Sequence, residues 1–394
     1  MSPSSAKELL IMNSPKLRFK NFNDEWKTFK IQDTFDNISI KNCPNMTILT
    51  IIQGHGTIPR NQSNRNIIFD EEKSRTYKMV NKKDFIIHLR SFEGGLEMSN
   101  HNGIVSPAYT IIRGKDIVIP LFFKYYFRTN KFINSILSKS VEGIRDGKQI
   151  SYNQLKDFYI PIPSIEEQTK IANFLSLIDR KIELQEKLVE NLKLYKKGLL
   201  QKIFKNECQN VSLSNLLIEK NNKNSIGLEV CSVAVEKGVV NQVEHLGRSF
   251  SAKDTSKYNR VSYGNLVYTK SPTGLFPYGI IKQSYKKNDV AVSPLYAIYN
   301  PITFNVGVLI HSFFEYPINT NNYLHSLIQK GAKNTINISN SRFLEKSIPM
   351  PNDNSLIDKY ANLIIDINDK ISYETKKLQD LKTYKKGLLQ KMFI

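Results

Sequence analysis

Two stretches of the chain repeat apolar residues in alternating steps of three and four, with charged or polar residues between them. Such a pattern, held over about four heptads, is typical of a coiled-coil seam. Gln185 and Glu374 each fill one seam position. The predicted seam residues are Ile171, Leu175, Ile178, Ile182, Val189, Leu192 and Leu199 in the first stretch, and Ile357, Ile364, Ile367, Ile371, Leu378, Leu381 and Leu388 in the second.

Each stretch predicts one long helix, over residues 164–207 and 352–394. Ser164 follows a proline and has Glu167 three residues later, which predicts a capping box at the first helix start. An amphipathic helix needs a cover for its apolar stripe, and the two helices can cover each other. Because another segment lies between them, an antiparallel pair is favoured. The alternative is that each helix packs on its own globular unit, although the narrow stripe favours the pair.

The segments 15–163 and 208–351 carry short β-branched and aromatic runs bounded by Gly, Asn, Pro and Asp, after a tail at residues 1–14. The two segments are related. VSPAYTI at 105–111 matches VSPLYAI at 292–298, and LKLYKKGLLQKIF at 192–204 matches LKTYKKGLLQKMF at 381–393. A spacing near 190 residues is too long for a solenoid repeat. The sequence therefore predicts a duplicated plan of α+β class, with a strand-rich unit followed by a long helix, twice.

The formal net charge of +20 and the pI of about 9.6 favour a polyanionic partner. A Lys- and Asn-rich source organism would also give a basic surface. The three cysteines are too few for a disulfide framework, which fits a reducing cytoplasm. The sequence has no apolar run long enough for a membrane span, and its first residues lack a signal-peptide pattern. We therefore expect a cytoplasmic protein without membrane contact.

The sequence holds no recognisable catalytic motif: it has no phosphate-binding loop, HExxH, paired CxxC or GxSxG. Asn300-Pro301 is interpreted as a turn, and the acidic run at 69–73 as a solvated loop. The six histidines show no metal-ligand spacing. We expect no catalytic residue, no metal and no cofactor in this chain.

Polar and basic loops at matching places in both units are the candidate DNA contacts. Arg pairs with guanine, Asn and Gln pair with adenine, and Lys and Ser position phosphates. For any one loop residue a turn-forming role is the simpler interpretation, and the repeated set favours DNA. The candidates are Arg60, Asn61, Gln62, Asn64, Arg65, Arg90, Ser91, Arg145 and Lys148 in the first unit, and Lys270, Ser271, Thr273, Lys333 and Asn334 in the second.

The motif IPIPSIEEQTKIANFLSLID at 160–179, the helix end YKKGLLQKIF at 195–204 and the repetition of this plan resemble the specificity subunit of type I restriction–modification enzymes. PKLRF at 15–19, followed by Glu25-Trp26, is similar to that family's entry into its first recognition domain. The second helix departs from the family pattern, since it opens with PNDNSLIDKYANLI. Its packing against a modification subunit is therefore expected to differ from that of the first helix.

The resemblance implies two target recognition domains, at 15–163 and 208–351, separated by an antiparallel coiled coil of the helices 164–207 and 352–394. It implies a bipartite asymmetric double-stranded DNA target, with one half-site per domain. It also implies two modification subunits that use S-adenosylmethionine to methylate adenine, and restriction subunits that cleave with ATP and Mg. The alternative from another class is a coiled-coil scaffold that joins two protein-binding modules. A stand-alone nuclease or methyltransferase would need a catalytic motif.

Overall fold

The computed structural model describes residues 14–43, 45–63, 75–88, 91–141, 150–205, 208–224, 226–248, 251–252, 254–330 and 336–394. The chain divides into two compact units. Unit 1 comprises Met1–Glu186 and Lys377–Ile394, and unit 2 comprises Lys187–Lys376. Each long helix therefore contributes its start to one unit and its end to the other.

Unit 1 is built from short strands and helices before the first long helix. Its strands are β1 Lys27–Lys30, β2 Phe35–Ile38, β3 Leu49–Ile52, β4 Gly56–Pro59, β5 Lys78–Val80, β6 Phe85–Ile87, β7 Glu97–Met98, β8 Gly103–Val105, β9 Thr110–Gly114 and β10 Tyr159–Ile162. Its helices are α1 Ile31–Thr34, α2 Ser91–Gly94, α3 Pro120–Tyr126, α4 Asn130–Ser135, α5 Tyr152–Leu155 and the start of α6 Ile165–Lys205.

Unit 2 is also built from short strands and helices, followed by the start of the second long helix. Its strands are β11 Cys208–Ser212, β12 Leu217–Glu219, β13 Cys231–Ala234, β14 Gly238–Asn241, β15 Asn259–Val261, β16 Leu266–Tyr268, β17 Ile281–Gln283, β18 Val290–Val292, β19 Ala297–Pro301, β20 Gln329–Lys330, β21 Ile336–Asn337 and β22 Ser347–Pro351. Its helices are α7 Gln242–Leu246, α8 Phe304–Phe314, α9 Pro317–His325, α10 Asn340–Leu344 and the start of α11 Asn354–Lys391.

The strands of the two units pair according to the same plan. The four-stranded sheet has the order β2-β9-β6-β7 in unit 1 and β12-β19-β16-β17 in unit 2. The pairs β1-β10, β3-β4 and β5-β8 correspond to β11-β22, β13-β14 and β15-β18. Every pair between these named strands is antiparallel. The mixed helix and strand content predicted from the sequence is confirmed.

Each unit has a large core in which aromatic rings and the long helices meet. In unit 1 Trp26, Phe122 and Phe393 pack edge-on or tilted, with ring centroids 5.2–6.5 Å apart. In unit 2 Phe343 packs against Tyr268 and Tyr299 at 5.1 and 5.0 Å. Most of these rings are among the largest fully buried side chains of the described chain, so they contribute much of the buried apolar area of each core.

The start of one long helix and the end of the other lie in the same core. In unit 1 Ile171 and Leu175 of α6 share a core with Leu388 of α11 and with Met392, which directly follows that helix. In unit 2 Ile357 and Ile364 of α11 share a core with Leu200 and Ile203 of α6. Within unit 1 the ion pairs Asp179–Lys385 (2.5 Å) and Glu186–Lys382 (2.6 Å) show that these helix segments run in opposite directions.

The predicted seam residues face inward to different degrees. Those that are buried are Ile171, Leu175, Ile178, Val189, Ile357, Ile364, Ile367 and Leu388, and those that are half-buried are Ile182, Leu192, Leu199, Ile371, Leu378 and Leu381. The polar seam residues Gln185 and Glu374 are also buried.

Two lysines occupy seam positions that the prediction, based on apolar residues, did not include. Lys196 lies between Leu192 and Leu199 in the heptad phase, and its ammonium group contacts both carboxylate oxygens of Glu315 at 2.8 and 2.5 Å. Lys385 occupies the matching position of α11, where it pairs with Asp179 and lies 5.7 Å from the ring centroid of Tyr125. In each unit an acid from a neighbouring segment neutralises a lysine in the stripe.

The predicted capping box at the start of α6 is half right. The Ser164 hydroxyl accepts a hydrogen bond from the Glu167 amide at 3.3 Å, as an N-cap does. The Glu167 carboxylate does not complete the box. It accepts two hydrogen bonds from Arg18, both at 2.7 Å, and one from the Trp26 indole at 3.2 Å. A charge-assisted bidentate pair is stronger than a return bond to a backbone amide, so the N-terminal segment captures this acid.

We predict that loss of Glu315 destabilises unit 2 more than loss of Lys196. Burial lowers the pKa of Lys282, and the negative charge of Glu315 raises it against this effect. Glu315→Gln removes that charge and leaves the Lys196 ammonium group without its carboxylate partner. We expect a loss on the order of 2 kcal/mol in the free energy of unfolding. Lys196→Met leaves a carboxylate that is 34% exposed and can rehydrate, so we expect a loss of about 1 kcal/mol.

Thermal melting would measure both losses, and hydrogen exchange across residues 304–325 would assign them to unit 2. Lys193→Met, on an exposed position of the same helix, is the matched control and should change the melting temperature little. Equal losses for Glu315→Gln and Lys196→Met would contradict the prediction.

Candidate nucleic-acid interface

The hairpin β3-β4 of unit 1 carries the first candidate loop, and a buried acid holds its tip. Glu97 is fully buried and accepts hydrogen bonds from the amides of Gly54 (2.7 Å) and Gly56 (2.9 Å) and from the side chain of Gln53 (3.2 Å). Arg128 pairs with the same carboxylate at 2.5 Å and donates to the Gly54 carbonyl at 2.9 Å. The tip is therefore held rigidly, because Glu97 and Arg128 together bind its backbone amides, a backbone carbonyl and the Gln53 side chain.

Glycine is required at one of these positions. Gly56 has φ of +88°, and a Cβ there would lie 2.5 Å from the Met98 carbonyl oxygen. A larger residue would push the hairpin away from β7, which carries Glu97. Glu97 and Arg128 were not predicted from the sequence, since their partners lie tens of residues away along the chain.

Arg60, Asn61 and Gln62 form a single 3-10 turn directly after β4. The Arg60 amide donates to the Ile48 carbonyl at 2.9 Å, which fixes the turn to the residue directly before β3. The side chains of Asn61 and Gln62 are exposed, whereas Arg60 is half-buried. The Arg60 Nε atom is buried and has no hydrogen-bond partner within the described ranges. The turn thus presents two amide side chains to solvent on a fixed backbone.

Ser91 is placed differently from the prediction. It is fully buried, its hydroxyl accepts a hydrogen bond from the His88 amide at 2.9 Å, and its own amide donates to the His88 carbonyl at 3.0 Å. Both groups shape the turn into α2. We therefore remove Ser91 from the candidate contacts, because a buried and paired hydroxyl is not available to a duplex.

The second candidate loop joins β16 to β17 in unit 2. Ser271 and Thr273 are exposed, and Lys270 is half-buried. Lys270 has φ of +59°, and its ammonium group donates to the Asn340 side-chain oxygen at 2.5 Å. Asn340 in turn donates to Glu219 at 2.7 Å. Burial lowers the pKa of Lys270, and the Glu219 carboxylate partly offsets this effect. Lys270 therefore has two roles: its hydrogen bond holds the base of the loop, and its ammonium group supplies positive charge.

Seven predicted contacts lie outside the described residues, so their placement is not assigned. They are Asn64, Arg65, Arg90, Arg145, Lys148, Lys333 and Asn334. Strands β20 and β21 flank the segment that contains Lys333 and Asn334, and they pair antiparallel.

Metal-binding clusters and membrane-spanning helices are both absent from the described part of the chain. It contains no group of three or more His, Cys, Asp or Glu residues that could hold a metal ion. Within the same ranges, no helix is both long and apolar enough to cross a membrane.

Comparison with solved structures supports the fold. A crystal structure of the type I restriction–modification S subunit from M. genitalium aligns with a TM-score of 0.60 at 16% identity, covering 97% of this chain and 99% of that one. An identity this low speaks for the fold alone.

Sequence comparison gives partial matches. A putative type I restriction enzyme MjaX specificity subunit from Methanocaldococcus jannaschii is 28% identical over 131 residues, or 32% of this chain and 29% of its own length. The MjaVIII specificity subunit from the same organism is 24% identical over 183 residues, or 46% of this chain and 42% of its own length. The alignments thus span less than half of these relatives.

Residues 23–194 match the family described as type I restriction modification DNA specificity domain. This match includes the first strand-rich segment and most of α6, which are the parts that carry the motif IPIPSIEEQ. Over these residues the chain is similar to type I restriction–modification specificity subunits, as it is over the segments that match the two M. jannaschii relatives.

Proposed function

We propose that this chain is the sequence-specific DNA-binding subunit of a type I restriction–modification complex. It recognises a bipartite, asymmetric target, with one half-site for each of two recognition domains. It directs adenine methylation or cleavage by partner subunits. The observation that carries this proposal is the strand-pairing plan that the two units share, which is what two recognition domains with different loops would have.

The proposed domains are recognition domains at 15–163 and 208–351 and conserved helices at 164–207 and 352–394, after a tail at 1–14. We propose that the two helices form an antiparallel coiled coil over their whole length. The opposite direction of the paired helix segments in unit 1 supports it, as does the sharing of each core by a helix start and a helix end. The heptad phase of the seam continues across both units.

Catalysis is assigned to the partners, because specificity subunits are non-catalytic and carry no cofactor of their own. We propose two modification subunits, which supply S-adenosylmethionine chemistry, and restriction subunits, which use ATP and Mg. The complex would act in the cytoplasm, where its DNA is found. The net charge of +20 would give DNA binding a steep salt dependence.

The alternative is a coiled-coil scaffold that joins two protein-binding modules. The exposed turns argue for DNA, because they present Asn61 and Gln62 in unit 1 and Ser271 and Thr273 in unit 2, side chains that hydrogen-bond to base edges and phosphates. Extended apolar surfaces would be expected on protein-binding modules instead.

The test of the proposal is selection of bound duplexes from a random pool by the chain assembled with its modification subunit. We expect two short, unrelated motifs at a fixed distance, each containing an adenine that becomes methylated when S-adenosylmethionine is added. Binding without any sequence preference would instead favour the scaffold.

We predict that Asn61→Ala and Gln62→Ala each alter base preference in one half-site and leave the other half-site unchanged. Loss of an amide that pairs with a base edge should cost about 1–3 kcal/mol for the selected target. Affinity for an unrelated duplex should stay the same, because these side chains carry no charge. Gln201→Ala, on an exposed position of α6, is the control and should keep the wild-type preference. A change in both half-sites would show that the units do not read independently.

We also predict that inserting one heptad into each long helix, near Gln185 and Glu374, lengthens the unread gap. Each heptad adds about 10 Å of helix and keeps the phase of the seam, which corresponds to about three base pairs. Sequencing of the methylated targets would give the new gap. A control insertion of three residues in one helix turns its stripe away from the seam and should lower the melting temperature. If paired heptads leave the gap unchanged while binding persists, the helices do not set the spacing.

A further inference from the structure

The loop that joins β16 to β17 ends in a tight turn with a fixed backbone. Thr273 and Phe276 exchange two backbone hydrogen bonds, at 3.0 and 2.9 Å, which leaves Gly274 and Leu275 at the tip. Gly274 has φ of +53°, a conformation that glycine adopts readily. Phe276 is buried beneath the turn. The tip is therefore a two-residue hairpin connection with one buried anchor.

Contacts on both sides hold this turn against unit 2. The Asn321 side chain on α9 donates to the Leu275 carbonyl at 3.1 Å. At the base, the Thr269 amide donates to the Ile280 carbonyl at 3.1 Å, and the Ile280 amide donates to the Thr269 hydroxyl at 3.2 Å. A Cβ on Gly279 would lie 2.8 Å from the Lys270 amide nitrogen, so the two arms of the loop pack closely.

On this fixed backbone the Leu275 side chain points into solvent. It is 75% exposed, the highest value among the exposed large apolar residues of the described chain. An isolated exposed leucine is ordinary on a flexible surface. Here the backbone is held on both sides of it, so ordering Leu275 against a partner would cost little further entropy.

The chemistry around Leu275 identifies the class of partner. Residues 255–288 include no acidic residue and six basic ones; of these, Arg260 pairs with Asp289 and Lys282 is buried, which leaves Lys257, Lys270, Lys286 and Lys287 as the positive charges of the segment. The exposed neighbours Ser271 and Thr273 carry hydroxyls that can donate to phosphate oxygens. One apolar side chain among hydroxyls on a basic segment fits a duplex, where apolar side chains contact thymine methyl groups or wedge between base steps.

We propose that Leu275 is a base-contacting residue that sets sequence preference in the half-site read by unit 2. It makes an apolar contact with a base, and the turn 273–276 holds it in position. This inference rests on the proposed DNA-binding function and assigns to one residue a part of its specificity.

The test compares the wild-type chain with Leu275→Ala and Leu295→Ala, each assembled with the modification subunit. Leu295 is the matched control, since it is also a leucine, is 74% exposed and lies on another turn of unit 2. For Leu275→Ala we expect about tenfold weaker binding to the selected target and relaxed preference at one position. The other half-site, the gap, the melting temperature and subunit association should be unchanged. Leu295→Ala should behave as the wild-type chain.

Two DNA probes separate the two forms of apolar contact. If deoxyuridine in place of thymine weakens wild-type binding and has no effect on Leu275→Ala, the contact is to a thymine methyl group. If 2-aminopurine at that step brightens on binding of the wild-type chain alone, Leu275 wedges between bases. Either result supports the proposal.

The proposal is overturned if Leu275→Ala keeps the wild-type preference, or if Leu295→Ala loses binding to the same extent. It is also overturned if Leu275→Ala weakens subunit association and leaves DNA preference intact, because Leu275 would then contact protein. A wild-type complex that selects no bipartite target overturns the proposed function as well. A wild-type complex that selects one, together with an unchanged Leu275→Ala variant, overturns this inference alone.

Discussion

The apolar stripe of each long helix has to be covered, and this requirement connects the parts of the chain. α6 buries Ile171 and Leu175 in unit 1 and Leu200 and Ile203 in unit 2. α11 buries Ile357 and Ile364 in unit 2 and Leu388 in unit 1. Each core is therefore incomplete without the end of the helix that began in the other unit. Each unit thus buries apolar residues of both long helices, and this burial favours its core.

Polar residues in the stripe fix the axial register of the long helices, which the burial of apolar residues leaves open. Apolar side chains alone tolerate slips of a heptad, whereas a lysine at a seam position is satisfied only where an acid meets it. Lys196 meets Glu315 from the end of α8, and Lys385 meets Asp179 from α6. Asp179 also accepts a hydrogen bond from the Tyr125 hydroxyl at 2.8 Å, so the same acid joins α3 to both long helices in unit 1. The two lysines occupy matching heptad positions, but one pairs with the end of α8 and the other with α6.

Periodicity in the sequence was enough to predict the long helices, most of their inward faces and the mixed class of the units. It could not predict contacts between residues far apart in sequence. Lys196 resembles a surface lysine until Glu315, 119 residues later, is placed beside it. Glu167 was assigned to a local cap and is bound by Arg18, 149 residues earlier. Ser91 follows a strand as a contact residue would, but its hydroxyl turns inward. Local patterns specify elements, whereas partners depend on the tertiary fold.

At one equivalent position of the two four-stranded sheets, the side chains differ in charge although the strand pairing is the same. In unit 1 Asp84 and Arg113 form a bidentate pair at 2.7 Å between the turn before β6 and strand β9. The matching places in unit 2 hold Asn265 and Asn300, which share an amide hydrogen bond at 3.1 Å. Both pairs join the same elements of the sheet, and the registers of β6-β9 and β16-β19 are equivalent. The same strand pairing is therefore kept with a charged pair at this place in unit 1 and with a neutral pair in unit 2.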